Sequence, residues 1–203
     1  MTDVDLYLVR EFFELNFFRV MTQWQQESAV NRNERGLQLF VENADPPSER
    51  ELGVVLSPDD LPHLDRAVVE VRPWHTDRFY SSVLESNPVI TQFAEEEALG
   101  AARNFFGGAS FKTILVVSEL PITPEQRART ICAIEDSKVD HVLEFPTILR
   151  SILSRVSING GYAASHALQT IQLLKRYRLV SNQQLEFGFS SVSATPVTQT
   201  EKD

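Results

Sequence analysis

Apolar and polar residues alternate along this chain with two different periods, and the change from one to the other sets the expected architecture. Residues 5 to 15 place Leu6, Val9 and Phe13 on one side of a helix, which Asn16 ends. "FFRVMTQWQ" reads as a strand of aromatic and β-branched residues, "SAVNRNERG" as a polar turn closed by Gly36, and "LQLFVEN" as a second strand. "ADPPSERE" is a loop. "LGVVLS" reads as a short strand, and "SPDD" as a helix start, with Ser57 as cap and a proline in the first turn. Residues 66 to 72 form a further apolar strand, which Pro73 terminates.

Beyond that strand the period lengthens. "NPVITQFAEEEALGAARNFFGG" predicts one helix closed by paired glycines. "FKTILVVSELP" has the near-continuous apolar run of a strand covered on both faces. "TPEQRARTICAIEDS" carries the threonine, proline and early acid of a helix start, and "DHVLEF" is a short strand. "PTILRSILSRV" predicts a helix that buries Ile148, Leu149, Ile152 and Leu153. A last helix is expected from about Tyr162 to Leu179, with Ala164, Leu168, Ile171 and Leu174 or Lys175 inward. On it Ser165, Gln169, Gln172 and Arg176 form a polar stripe that reads as a solvated face. Strands joined by short turns pair antiparallel and strands separated by helices pair parallel, so a mixed central sheet flanked by helices is predicted. The expected organisation is one α/β domain over residues 1–189 and a Ser/Thr-rich, disordered tail over 190–203.

Composition narrows the class. The 42% hydrophobic and 23% charged content is that of a soluble globular domain. No apolar run is long enough to cross a bilayer, and the start of the chain is unlike a secretory signal, so no membrane partner and a cytoplasmic location are expected. One cysteine, Cys132, excludes an internal disulfide and a cysteine-based metal cluster; its apolar neighbours predict a buried, inert thiol. The net charge of −9 argues against nucleic-acid binding by the whole surface. The charge is unevenly spread, however. Between Glu144 and Glu186 there is no acid, while Arg150, Arg155, Lys175, Arg176 and Arg178 contribute +5, which leaves −14 for the remainder. That basic 145–185 segment is the expected place for a nucleic acid, if one binds.

In "RAVVEVR", Glu70 and Arg72 share one face of a strand and Val69 and Val71 the other. Charges two apart on an internal strand need a polar crevice or each other. This order of elements and this spacing resemble the restriction-endonuclease-like, or PD-(D/E)xK, nuclease superfamily, in its αβββαβ core with extra C-terminal helices. The resemblance implies that Glu70 and Arg72 stand at the D/E-x-K positions as catalytic residues. It implies Glu42 or Asp65 as the second acid beside Glu70 on a divalent metal, and Glu14 or Glu11 as the helical glutamate. Such a site would use Mg²⁺ or Mn²⁺ to polarise a phosphodiester and position water. Arg72 departs from the motif lysine: it can clamp a phosphate but stays protonated and cannot accept a proton. The resemblance therefore implies a divergent phosphodiesterase acting on nucleic acid, with the alternative of a non-catalytic scaffold or interaction domain on the same frame.

Other chemistry is sparse. His75 and Asp77 follow the strand within "WHTDRF", in a loop that would rim the site. His63, His141 and His166 are scattered singly. No nucleophile elbow, phosphate loop or dinucleotide fingerprint occurs.

Overall fold

The computed structural model describes residues 3–22, 37–45 and 50–180. Helix α1 (Asp3–Leu15) leads into strands β1 (Phe18–Thr22), β2 (Leu37–Asn43) and β3 (Arg66–Val71). Short helices α2 (Ser81–Ser86) and α3 (Gly100–Phe105) precede β4 (Lys112–Val117), α4 (Pro124–Asp136) and β5 (His141–Glu144). Helices α5 (Phe145–Arg155) and α6 (His166–Arg176) follow. The sheet has five strands in the order β1-β2-β3-β4-β5. The first three pair antiparallel, and β3, β4 and β5 run parallel. The predicted α/β class and mixed sheet are thus observed.

Alternation along β3 divides the core. Ala67, Val69 and Val71 enter a cluster with Leu6, Val9, Phe12 and Phe13 of α1 and Ile148 and Ile152 of α5. Val68 faces the opposite cluster, with Phe40, Leu115, Leu84 of α2 and Ile134 of α4. Helices therefore cover both faces. Each fully buried aliphatic or aromatic side chain contributes roughly 1.5–3 kcal/mol relative to exposure, so β3 and β4, buried almost end to end, are the strands the sheet rests on.

Several elements differ from the sequence expectation. Residues 87–108 are not one helix but two 3₁₀ turns, Pro88–Ile90 and Gln92–Ala94, followed by α3. β-branched Val89, Ile90 and Thr91 and mid-segment Gly100 weaken a continuous helix. The broken path places Ile90, Phe93, Ala102 and Phe106 in one cluster. "LGVVLS" makes a single parallel bridge, Val55 to Val142, rather than a strand. Cys132 is exposed on α4 rather than buried, because it is Ile134 that turns inward on that helix. The proposed turn at 28–36 and the tail at 190–203 lie outside the described residues. Phe17 ends α1 in the left-handed region at φ 65°, and its carbonyl accepts the Ala44 N–H.

The amino edge of the parallel strands is tied by polar groups. Asp140 accepts from Lys112 Nζ at 2.9 Å and from the Thr113 amide at 2.8 Å. Burial pushes its carboxyl up, but these bonds outweigh it and hold it below the usual range. His141 is 5% exposed, and its Nδ1 lies 2.9 Å from the Gly53 carbonyl. Its Nε2 is buried without a hydrogen-bond partner among the described residues. Burial pushes this imidazole below its ordinary value of 6.5.

The unfolded chain therefore binds the His141 proton more readily than the folded one. Stability is full above about pH 6.5, falls as pH drops through that value, and levels off below the folded-state pKa. Urea denaturation at about pH 7.5 and about pH 5.5 is expected to show this loss in the parent and a smaller one in His141→Gln. Equal slopes in the two proteins would remove His141 as the cause.

Candidate functional site

The Glu70 carboxylate sits at the centre of the fold. Glu70 is 1% exposed, on the face of β3 that looks toward α2 and α4. Its Oε1 accepts from Arg72 Nε at 2.8 Å, and the Arg72 side chain is itself largely buried. Of the two arrangements expected for charges on this strand, a polar crevice or mutual pairing, the structure has the second: the pair is turned inward, each charge neutralising the other where water cannot.

The other acids of the predicted metal site are elsewhere. Glu42 is on the same sheet face, but the register sets it opposite Arg66 and sets Gln38 opposite Glu70. Four residues of strand, about 13 Å at the usual rise, separate Glu42 from Glu70. Glu42 accepts from Arg66 Nε at 3.0 Å and lies 3.7 Å from Arg19. Asp65 precedes β3, at the far end from Glu70, and pairs with Arg66 at 2.6 Å. Glu14 belongs to α1, which packs on the opposite face of the sheet, and it pairs with Arg10 on the surface. Glu11 lies on the same helix. Strand register keeps Glu42 and Asp65, the alternatives for the second acid, away from Glu70, and the sheet face keeps Glu14 and Glu11, the alternatives for the helical glutamate, on its other side. Among the described residues no three His, Cys, Asp or Glu side chains meet in a way that could hold a metal ion.

The basic segment is also put to other uses. Lys175 Nζ donates to the carbonyls of Leu153 at 2.8 Å and Val156 at 2.7 Å, closing the C-terminus of α5. Arg155 reaches the Leu15 carbonyl at the end of α1. Arg150, Arg176 and Arg178 remain exposed. In the polar stripe on α6, Arg176 faces solvent as expected, while the two glutamines are taken up by backbone carbonyls. Gln172 Nε2 donates to the carbonyls of Ser157, Ile158 and Gly160, and Gln169 Nε2 to those of Tyr162 and Ala163. These two glutamines hold the α5–α6 loop in place.

The two rim residues, by contrast, do border a cavity. At the carboxyl ends of β3, β4 and β5 a space of about 470 Å³ is lined by His75, Asp77, Arg78, Tyr80 and Glu119, with Phe145 at the start of α5. Glu70 is not among its lining residues. This is the edge at which open parallel sheets bind ligands, because strand ends and helix starts converge there. His75 Nε2 lies 3.0 Å from Oδ1 of Asp5, a buried residue of α1. The imidazole stands edge-on to Phe145, with ring centroids 4.7 Å apart and planes at 70°. Asp77 accepts from the Arg78 amide through Oδ1, and its carbonyl accepts from Ser118 Oγ. Arg78 bonds the Leu120 carbonyl at 3.0 Å and Glu119 at 2.9 Å.

Glu144, at the end of β5, braces this edge from behind. It accepts from the Leu120 amide at 2.8 Å and from both terminal nitrogens of Arg127. Burial raises the Glu144 carboxyl, but the Arg127 hydrogen bond and the Leu120 amide hold it below the usual range. Sequence reasoning missed Asp5 and the Glu144–Arg127 pair. Asp5 is separated from His75 by seventy positions, and no local pattern marks such a contact.

Fold and site together define a three-layer α/β domain with a mixed five-stranded sheet and a polar cavity at its parallel carboxyl edge. Compared with known proteins, the chain matches no family model, no curated protein and no solved structure.

Three substitutions separate charges held by the fold from one on the surface. Arg72→Met leaves Glu70 buried without its guanidinium and is expected to lower unfolding free energy by about 3–5 kcal/mol. Lys175→Met removes the closure of α5 and is expected to cost about 1–3 kcal/mol, whereas Arg176→Ala stays within about 0.5 kcal/mol. Urea titration of the three variants checks this; an unchanged midpoint in Arg72→Met would refute the buried-pair assignment.

Proposed function

We propose that this chain is a restriction-endonuclease-like domain that keeps the αβββαβ order of elements, and that at the position of the superfamily's metal site it is non-catalytic and serves as a scaffold or interaction domain. One observation carries the reading: the acid at the motif position, Glu70, is buried against Arg72 at 2.8 Å. Phosphodiester cleavage by this class of site needs carboxylate oxygens on a hard cation, with room for water and substrate phosphate around it. Glu70 has committed an oxygen to a guanidinium that remains protonated, and Glu42 is held four positions away by Arg66. Residues that supply ligands and a proton-accepting lysine in an active relative have here become a core ion pair. This supports the scaffold reading over the phosphodiesterase.

Nucleic acid is a weaker partner for it than the sequence suggests. Of the five cations in the acid-free segment, Arg155 and Lys175 are engaged by backbone carbonyls. A nucleic acid would have to be held by Arg150, Arg176 and Arg178 against a chain of net charge −9.

A thermal-shift titration with millimolar MgCl₂ or MnCl₂, run on the parent and on Glu70→Ala, tests the proposal. No metal-dependent rise in Tm is expected in either protein, and Glu70→Ala melts lower at every metal concentration. A metal-dependent stabilisation of the parent that disappears in Glu70→Ala would restore the metal-dependent nuclease reading.

A further inference from the structure

We propose that Asp5 and His75 form a proton-transfer dyad that serves the cavity at the carboxyl edge of β3, β4 and β5 as a general base for small, non-anionic substrates. The dyad uses none of the residues on which the scaffold reading rests, and it stands or falls apart from that reading.

The geometry has the asymmetry such a pair requires. The Asp5 side chain is 6% exposed, while that of His75 is 48% exposed, with Nε2 and Oδ1 3.0 Å apart. A pair serving only to tether the loop to α1 gains most when both partners are sheltered from water. Here the carboxylate is sheltered and the imidazole is half out in the cavity wall. With Nε2–H donating to Asp5, the lone pair resides on Nδ1, which makes no hydrogen bond among the described residues. Phe145 holds the ring edge-on from a second direction. A carboxylate that sets tautomer and orientation and a base nitrogen left open to a cavity are the two parts of a histidine general base.

The lining limits what enters. Asp77 and Glu119 place two carboxylates in the wall against one guanidinium, Arg78, which is already bound to Glu119 and the Leu120 carbonyl. A phosphate or other anion would be repelled there. The Tyr80 hydroxyl and the apolar surfaces of Phe145, Pro146 and Leu149 suit a small neutral or cationic molecule of mixed polarity.

With a neutral ester, His75 Nδ1 takes a proton from water as the water oxygen bonds to the carbonyl carbon. Collapse of the tetrahedral intermediate breaks the carbon–oxygen bond to the leaving group, and the proton on Nδ1 passes to the departing alkoxide oxygen, or to solvent where the leaving group is a stable phenoxide.

The experiment uses p-nitrophenyl acetate as an uncharged probe that fits the cavity, with release of p-nitrophenolate followed in the full chain and in three variants. His75→Gln is expected to reduce the rate to the buffer background. Asp5→Asn, which can still accept the hydrogen bond, is expected to lower kcat by on the order of tenfold or more with KM within about twofold. His166→Gln, which alters an exposed histidine on α6, keeps the parent rate. A parent no faster than buffer, a His75→Gln variant at the parent rate, or loss of the activity in His166→Gln would each overturn the proposal. So would an Asp5→Asn variant with unchanged kcat, since Asp5 would then not be a positioning residue.

Discussion

A carboxylate cannot remain ionised in the interior of a sheet without a cation beside it, and the arrangement at Glu70 follows from that constraint. Arg72, two residues along the same strand, brings its Nε to 2.8 Å. The pair lies on the strand where antiparallel pairing changes to parallel, flanked by Gln38 of β2 and Leu115 of β4. Burying two charges is not itself a source of much net stability, because desolvation offsets most of the attraction. What the pair supplies is mutual dependence: changing either residue alone removes the 2.8 Å contact from the other. The contact also commits one Glu70 oxygen, Oε1, to the Arg72 guanidinium.

The remaining polar groups of the sheet are concentrated at its two ends. At the amino edge Asp140 ties β5 to Lys112 and Thr113, and His141 ties it to the Gly53 carbonyl. At the carboxyl edge Glu144 binds Arg127 and the Leu120 amide, while His75 reaches across to Asp5. Strand ends leave backbone groups and loop side chains near water, so polar bonds are least expensive there. Each edge also borders a space: Lys112, Asp140 and His141 line one of about 450 Å³ at the amino edge, and His75, Asp77 and Arg78 line one of about 470 Å³ at the carboxyl edge.

The basic segment illustrates how charge counted along a chain can mislead. Its lack of acids is real, yet Lys175 and Arg155 spend their hydrogens on the last carbonyls of α5 and α1. Helix C-termini present unsatisfied carbonyls with partial negative charge, and cations placed near them are drawn in. Gln169 and Gln172 do the equivalent for the loop between α5 and α6. Much of what resembles a recognition surface in sequence is the fastening of two helices to the body of the domain.

The amphipathic period of α1, the alternation of β2 and the apolar runs of β3 and β4 were legible because each is a local property of its own element. That Glu70 and Arg72 share a face followed from alternation alone. Which way that face looks did not, nor that it was sealed. Whether Glu42 meets Glu70 or Arg66 depends on register between strands, and a slip of a few residues leaves no mark on the local pattern. Whether Glu14 can reach the sheet depends on which face α1 covers. Asp5 and His75 meet only because a helix start and a strand end are brought to the same edge. By itself, then, the sequence determined the elements, their order and the sharing of faces within each one. Register, sheet face and the contacts at the carboxyl edge were decided only in three dimensions, because they arise from packing between segments far apart in the chain.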